Sequence, residues 1–255
     1  MSSVRARRLW KTYGTDVVLE NVDLTVNSGE FVTIVGQSGC GKSTFLRMLL
    51  GQERPSRGDL LLDGEAMPDE PGPDRGVVFQ KYSVFPHLTA LGNVMLGDVF
   101  RRATWTTVLV GQARRQARER ARAMLESVGL GQAADKYPAE LSGGMQQRLA
   151  IAQALMKDPG VLLLDEPFGA LDPGIKRDMH AMIRELWRST GITIFMVTHD
   201  IQEGFELGSR LLVFDKVRDD PHAPDAYGAT VTYDIPLDRA DRSTRREVTS
   251  AVQGP

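Results

Sequence analysis

The chain has 255 residues, enough for a substantial buried core, and 42% hydrophobic and 25% charged residues, the ordinary balance of a globular protein. A net charge of −2 gives no global pull toward nucleic acid or an anionic membrane, and a single cysteine excludes an internal disulfide and fits a reducing compartment. No run approaches the ~18 apolar residues of a membrane span, and the basic start MSSVRARRLWKTYG lacks the apolar segment of a secretory signal. A membrane role would therefore have to come through a partner.

Residues 17–19 and 22–26 suggest an early β-layer, the second by its alternation. Residues 31–35 form a nearly continuous apolar run ending at Gly36, as expected of a strand buried on both faces. Residues 42–50 have helical spacing, with Phe45, Leu46, Leu49 and Leu50 on one face. Residues 60–62 and 77–79 read as further strands.

From about residue 91 to 156 the pattern is mostly helical. Residues 112–128 predict a helix ended by Gly129. Its arginines, Arg114, Arg115, Arg118, Arg120 and Arg122, read as a solvated face with Arg115–Glu119 and Arg122–Glu126 neighbours. A nucleic-acid patch would need interleaved aromatic platforms, which this helix lacks. A second helix is expected from about Met145, with an apolar stripe at Met145, Leu149, Ala152, Leu155 and Met156.

Strand–helix alternation returns after Pro159. Residues 161–164 are apolar, 176–188 helical, and 192–197 apolar and β-branched; another helix follows His199, and residues 211–214 make a short strand. Such alternation predicts an α/β fold built of parallel βαβ units. The tail differs: residues 219–225 are polar and proline-bearing, residues 229–235 suit one more strand, and the end is charged and expected to fray.

Residues 36–43, GQSGCGKS, match G-x-x-x-x-G-K-[ST] between a buried strand and a helix. Gly36, Gly39 and Gly41 let the backbone curl so that N–H groups, those of Ser38 and Cys40 among them, point at phosphate. Lys42 adds charge toward the β- and γ-phosphates, and Ser43, with Thr44 beside it, can ligate Mg²⁺. Cys40 reads as a small loop filler.

Residues 161–167, VLLLDEP, form an apolar strand ending in two carboxylates, where a parallel sheet gathers its chemistry. There Asp165 suits Mg²⁺ and Glu166 suits the attacking water; the same pair also suits a capped helix start. His199 closes another strand, in reach of a γ-phosphate, and Gln80 ends a third, where its amide suits Mg²⁺ or the lytic water. For Tyr13 two readings stand, stacking on a nucleobase or packing in a core.

Residues 141–148, LSGGMQQR, put a bare helix start at Ser142, Gly143 and Gly144, a ready anion site. In the order Tyr13, phosphate loop, Gln80, LSGGMQQR, Asp165-Glu166, GALD at 169–172 and His199, the chain resembles the ATP-binding subunit of ABC transporters over roughly residues 4 to 215. The resemblance implies a P-loop nucleotide-binding core (1–88 and 157–215, RecA-like, mostly parallel sheet plus an antiparallel β layer), an inserted helical subdomain (89–156) and a tail (216–255). It also implies ATP and Mg²⁺, and a head-to-tail pair with a second ATP-binding subunit. ATP on one phosphate loop would then meet Ser142, Gly143, Gly144 and Gln147 of the other copy, with Asp172 beside it.

The resemblance further implies separate permease subunits, docked near residues 81–88 where Phe85 and His87 are candidate contacts, and a solute-binding protein acting indirectly. Such a subunit lies peripherally at the cytoplasmic face of the inner (plasma) membrane. Residues 77–94 and the DEPFGALD run are most similar to the nitrate/sulfonate/taurine importer group, with glycine-betaine importers a near rival. A lipid or export cassette, or a non-transport cassette acting on nucleic acid or ribosomes, are the alternatives. Three places depart from the pattern: Gln153, where arginine is common, residues 97–111 and the loop 216–227.

Overall fold

A computed structural model describes residues 1–80, 84–101, 111–218, 222–223, 225–238, 240 and 242–253. Among the described residues ten strands join in one sheet: β1 (Val4–Tyr13), β2 (Asp16–Val26), β3 (Phe31–Gly36), β4 (Arg57–Leu62), β5 (Glu65–Ala66), β6 (Arg75–Val78), β7 (Val161–Asp165), β8 (Thr193–Val197), β9 (Arg210–Lys216) and β10 (Ala229–Pro236). Their order is β5-β4-β1-β2-β10-β9-β3-β8-β7-β6. The strands β9, β3, β8, β7 and β6 run parallel, while β1, β2, β4 and β5 pair antiparallel. The expected antiparallel layer is present and continues the parallel sheet. β10 makes the join, antiparallel to β9 and parallel to β2 at Ala229–Leu19.

The buried runs became the central strands for the reason their composition suggests. Every residue of β8 and the first five of β3 are buried, and helices cover both faces. Helix α1 (Lys42–Leu50) seats the phosphate loop on the sheet through Phe45, whose ring meets Phe214 at 5.4 Å and Phe195 at 6.4 Å. Burying such a ring is worth about 2–3 kcal/mol.

Between β6 and β7 lie α2 (Ala90–Arg101), α3 (Gly111–Ser127) and α4 (Gly143–Leu155). Instead of one apolar stripe, α4 is buried on most sides, with Gln147, Leu149, Ala150, Ile151, Ala152, Ala154 and Leu155 inside. It also starts at Gly143, two residues before Met145, with Ser142 as its cap. On α3 the solvated-face reading holds for Arg114, Arg115, Arg118 and Arg122 but not for Arg120. Arg120 donates to the buried Asp98 of α2 at 2.6 Å and to Asp158 at 2.8 Å, tying α3 to α2 and to the approach to β7.

Helices α5 (Pro173–Thr190) and α6 (Ile201–Leu207) complete the βα units. The expected frayed end is instead α7 (Arg242–Gln253). Val248 is fully buried there, in a cluster with Val35, Ile201, Phe205, Leu211 and Val213. Burial against α6 and β9 stabilises a segment whose own composition would not make a helix.

Candidate active site

The parallel strands deliver their C-terminal ends to one edge. β3 runs into the phosphate loop, β7 into Asp165 and Glu166, β8 into His199, and β6 into Gln80 two residues on.

The phosphate loop is built on close approaches. A Cβ at Gly36 would fall 2.1 Å from the Phe214 carbonyl oxygen, and Gly41, at φ +85°, would clash with Leu19. Only glycine fits either place. Lys42 is buried, and its ammonium donates to the carbonyls of Gly36 at 2.8 Å and Gln37 at 2.6 Å, so its charge sits inside the loop's curl. Ser38 and Gly39 are exposed at the rim, and Thr44 is buried one residue beyond Ser43. Cys40 is buried with its Sγ 3.6 Å from the Lys42 ammonium, and burial pushes its thiol above the usual value. That is the behaviour of a loop filler rather than a nucleophile.

Ser43 Oγ donates to Asp165 Oδ1 at 3.3 Å. Burial pushes the Asp165 carboxyl above the usual carboxylate range; the hydrogen bond from Ser43 opposes this, and the neighbouring Glu166 charge adds to it. The helix that follows β7 starts at Pro173 with Asp172 at its cap, so Asp165 and Glu166 do not form a helix cap. Glu166 instead adopts φ +46°, a left-handed conformation unusual for a non-glycine residue. Its Oε2 lies 3.4 Å from both Gln80 Nε2 and His199 Nδ1. Three strand ends thus converge on one carboxylate.

Hydroxyl, carboxylate and amide oxygens are hard donors of the kind that suit Mg²⁺, which takes one or two carboxylates and completes its sphere with water and substrate phosphate. Ser43 and Asp165 fit that set; the Gln80 amide nitrogen is turned to Glu166, which leaves its oxygen for such a role. Among the described residues no cluster of three His, Cys, Asp or Glu could hold a metal without a substrate.

Tyr13 is 44% exposed, which rules out core packing. Its hydroxyl donates to Glu53, and the Lys11 ammonium stands 4.8 Å from its ring centre. Glu53 also meets Lys11 at 3.1 Å and Arg47 at 3.4 Å. Partial burial and the Glu53 carboxylate hold the phenol above its ordinary value. The sequence reading missed Glu53, because it lies in a loop with no motif.

The other anion site behaves differently. Ser142 and Gly143 are exposed, and the Ser142 hydroxyl accepts from Met145 N at 3.4 Å as a cap. Gly144, expected to stay bare for an anion, is buried: a Cβ there would fall 2.5 Å from Ile175 Cγ2, so its bareness lets α4 meet α5. Gln147 is also fully buried, with neither amide atom hydrogen-bonded. It therefore faces no ligand outside the chain in this conformation, whereas Asp172 is exposed. Among the described residues no hydrogen bond or ion pair joins Ser142, Gly143 or Gln147 to the phosphate loop.

Of the expected permease segment, residues 81–83 lie outside the described residues, as do 102–110 of the longer stretch and 219–221 and 224 of the tail loop. Phe85 is exposed with its ring 6.0 Å from that of His87. The buried Asn93, which sequence reasoning missed, sets this loop by accepting from Phe85 N at 2.7 Å and donating to the carbonyls of Phe85, Leu88 and Thr89. For Gln153 the structure shows a close approach of α2, since a Cβ on Gly97 would lie 2.7 Å from its carbonyl oxygen, and nothing explains why arginine is absent there.

Comparison with known proteins shows the family. The chain is 44% identical over 229 residues to the aliphatic sulfonates import ATP-binding protein of Burkholderia ambifaria, covering 90% of this chain and 63% of that protein. It is 43% identical over 228 residues to the bicarbonate transport ATP-binding protein of Synechocystis sp., covering 89% of this chain and 76% of that one. Its fold matches the dimeric, post-hydrolysis structure of the ATP-binding cassette MJ0796 bound to ADP and Pi at TM-score 0.73 and 32% identity, over 93% of this chain and 100% of that one. The family profile for ABC transporters matches residues 19–169, and the chain belongs to that family.

Proposed function

We propose that the chain is the ATP-hydrolysing subunit of an ABC importer. The observation that carries this is the convergence of Gln80 and His199 on Glu166, next to the Ser43–Asp165 pair and the phosphate loop. ATP would lie with its phosphates in the Gly36–Thr44 curl and its base on the exposed Tyr13 ring. Mg²⁺, held by Ser43, Asp165 and the Gln80 oxygen, would offset phosphate charge. Glu166 would orient the attacking water and draw off its proton, with His199 against the γ-phosphate.

Hydrolysis would need a second copy arranged head to tail, whose Ser142 and Gly143 offer the exposed start of α4 to the γ-phosphate. Residues 89–156 would act as a helical subdomain that closes on that partner, and the motion would drive separate permease subunits at the cytoplasmic face of the membrane. The sulfonate-import and bicarbonate-transport relatives support a small solute, nitrate-, sulfonate- or taurine-like, as cargo.

Glu166→Gln tests the hydrolytic assignment: it should lower ATP turnover by about 10²–10⁴-fold while leaving ATP binding intact. Turnover within a few-fold of the parent would remove Glu166 from this role. Copurification with a multi-span permease supports the importer assignment, and exclusively ribosomal or nucleic-acid partners would contradict it.

A further inference from the structure

Directly beneath Glu166 and His199 lies a polar network that the hydrolysis scheme does not use. Glu203 of α6 places one carboxylate oxygen 2.7 Å from His180 Nε2 of α5, and its other oxygen accepts from Thr198 Oγ1 at the end of β8. The three residues are 4%, 9% and 2% exposed. Burying such groups is costly unless they are bonded, and apolar packing of the same volume is often at least as stable. Stability alone therefore gives no reason for a network here.

Its position gives one. Thr198 precedes His199, and its Oγ1 also accepts from Asp200 N at 3.1 Å, so one hydroxyl holds the chain on both sides of His199. The His180 ring packs against Phe168 at 5.3 Å, and Phe168 lies two residues beyond Glu166. Above the network, Glu166 N donates to Val197 O at 2.9 Å, and Glu166 Oε2 stands 3.4 Å from His199 Nδ1. The result is a closed bracket: Phe168, His180, Glu203 and Thr198 join the two loops from below, and Glu166 and His199 meet across the top.

We propose that His180, Glu203 and Thr198 are positioning residues that set the separation of His199 and Glu166 for hydrolysis. This rests on the roles given to those two residues under the proposed function. Most ground-state contacts to ATP come from the phosphate loop and Tyr13, outside the bracket; of the bracket's residues only His199 meets the bound γ-phosphate. Loosening the bracket therefore lowers kcat and leaves the ATP KM alone.

Steady-state ATPase of the full chain tests this with Thr198→Val, Thr198→Ser, His199→Ala and the Thr198→Val/His199→Ala double variant. Thr198→Val, isosteric but without the hydroxyl, should lower kcat by about 10–100-fold, with KM within about twofold. Thr198→Ser should restore it. In the His199→Ala background Thr198→Val should cost nothing more, because the residue it positions is gone. Losses that multiply, or a KM that rises as kcat falls, would overturn the proposal. If His199→Ala itself leaves turnover unchanged, the underlying role of His199 fails and the bracket's function fails with it, a result distinct from the multiplying losses. Should Thr198→Val not fold, His180→Phe, which keeps the ring against Phe168 and deletes the bond to Glu203, is read in the same way.

Discussion

Glu166 combines an unusual backbone with an unusual set of neighbours. A left-handed φ at a non-glycine residue costs on the order of 1–3 kcal/mol and persists where the surroundings hold it. Here the turn it makes directs the carboxylate at Gln80 and His199. Asp165, one residue earlier, is strained electrostatically. Its carboxyl is raised chiefly by burial, so between the unfolded and folded values the native state binds the extra proton, and stability falls as pH rises through that window. At neutral pH the buried charge is a net cost. Asp165→Asn should therefore raise the melting temperature of the nucleotide-free chain at pH 7 while abolishing Mg²⁺-dependent turnover. A lower or unchanged melting temperature would show that the carboxylate is not the burden described.

Among the elements, those built on uninterrupted apolar runs were legible in the sequence: the strand at 31–36 and the helix at 42–50 lie where the pattern put them. Strand β1 was not. Val4, Ala6 and Leu9 point inward, but an irregularity near Arg8, at φ +43°, breaks the alternation. Helix α7 has too few apolar residues to announce itself, and its partner, the face of α6 and β9, is distant in sequence. At the site, motifs located the phosphate loop, the acidic pair, Gln80 and His199. They did not reveal Glu53, Asn93 or the His180–Glu203 pair, which act through contacts made only by the fold. Gln147 was placed with the nucleotide contacts and is instead buried in α4. With both amide atoms unpartnered, Gln147→Leu should stabilise the isolated chain by about 1–2 kcal/mol in chemical denaturation. Destabilisation by that amount would mean that the amide is satisfied in solution.

At the scale of the whole molecule, β10 turns two sheets into one and brings the tail into the core. Arg210 fastens the join: its guanidinium meets both carboxylate oxygens of Asp234 at 2.6 Å, Glu30 at 2.9 Å and the Thr25 carbonyl at 2.7 Å. Those partners hold its pKa above the ordinary arginine value. Arg210→Met leaves Glu30 and the part-exposed Asp234 without their partner and should cost about 1–2 kcal/mol of stability, read from the urea midpoint; an unchanged midpoint would deny the strap its role. On the proposed function, the molecule carries two halves of a site that do not meet within one chain. The phosphate loop leads into α1, the exposed Ser142 and Gly143 begin α4, and among the described residues no hydrogen bond or ion pair joins the two.

Mixing two inactive variants tests that claim most directly. Lys42→Ala disables the phosphate loop and spares the α4 start; Ser142→Arg does the reverse. Each alone should be nearly inactive in ATP hydrolysis. Equal mixing allowed to re-pair should restore about a quarter of the parental rate, since half of the dimers are mixed and each has one intact composite site. No recovery in a mixture shown to contain the mixed dimer would contradict a site shared between two copies.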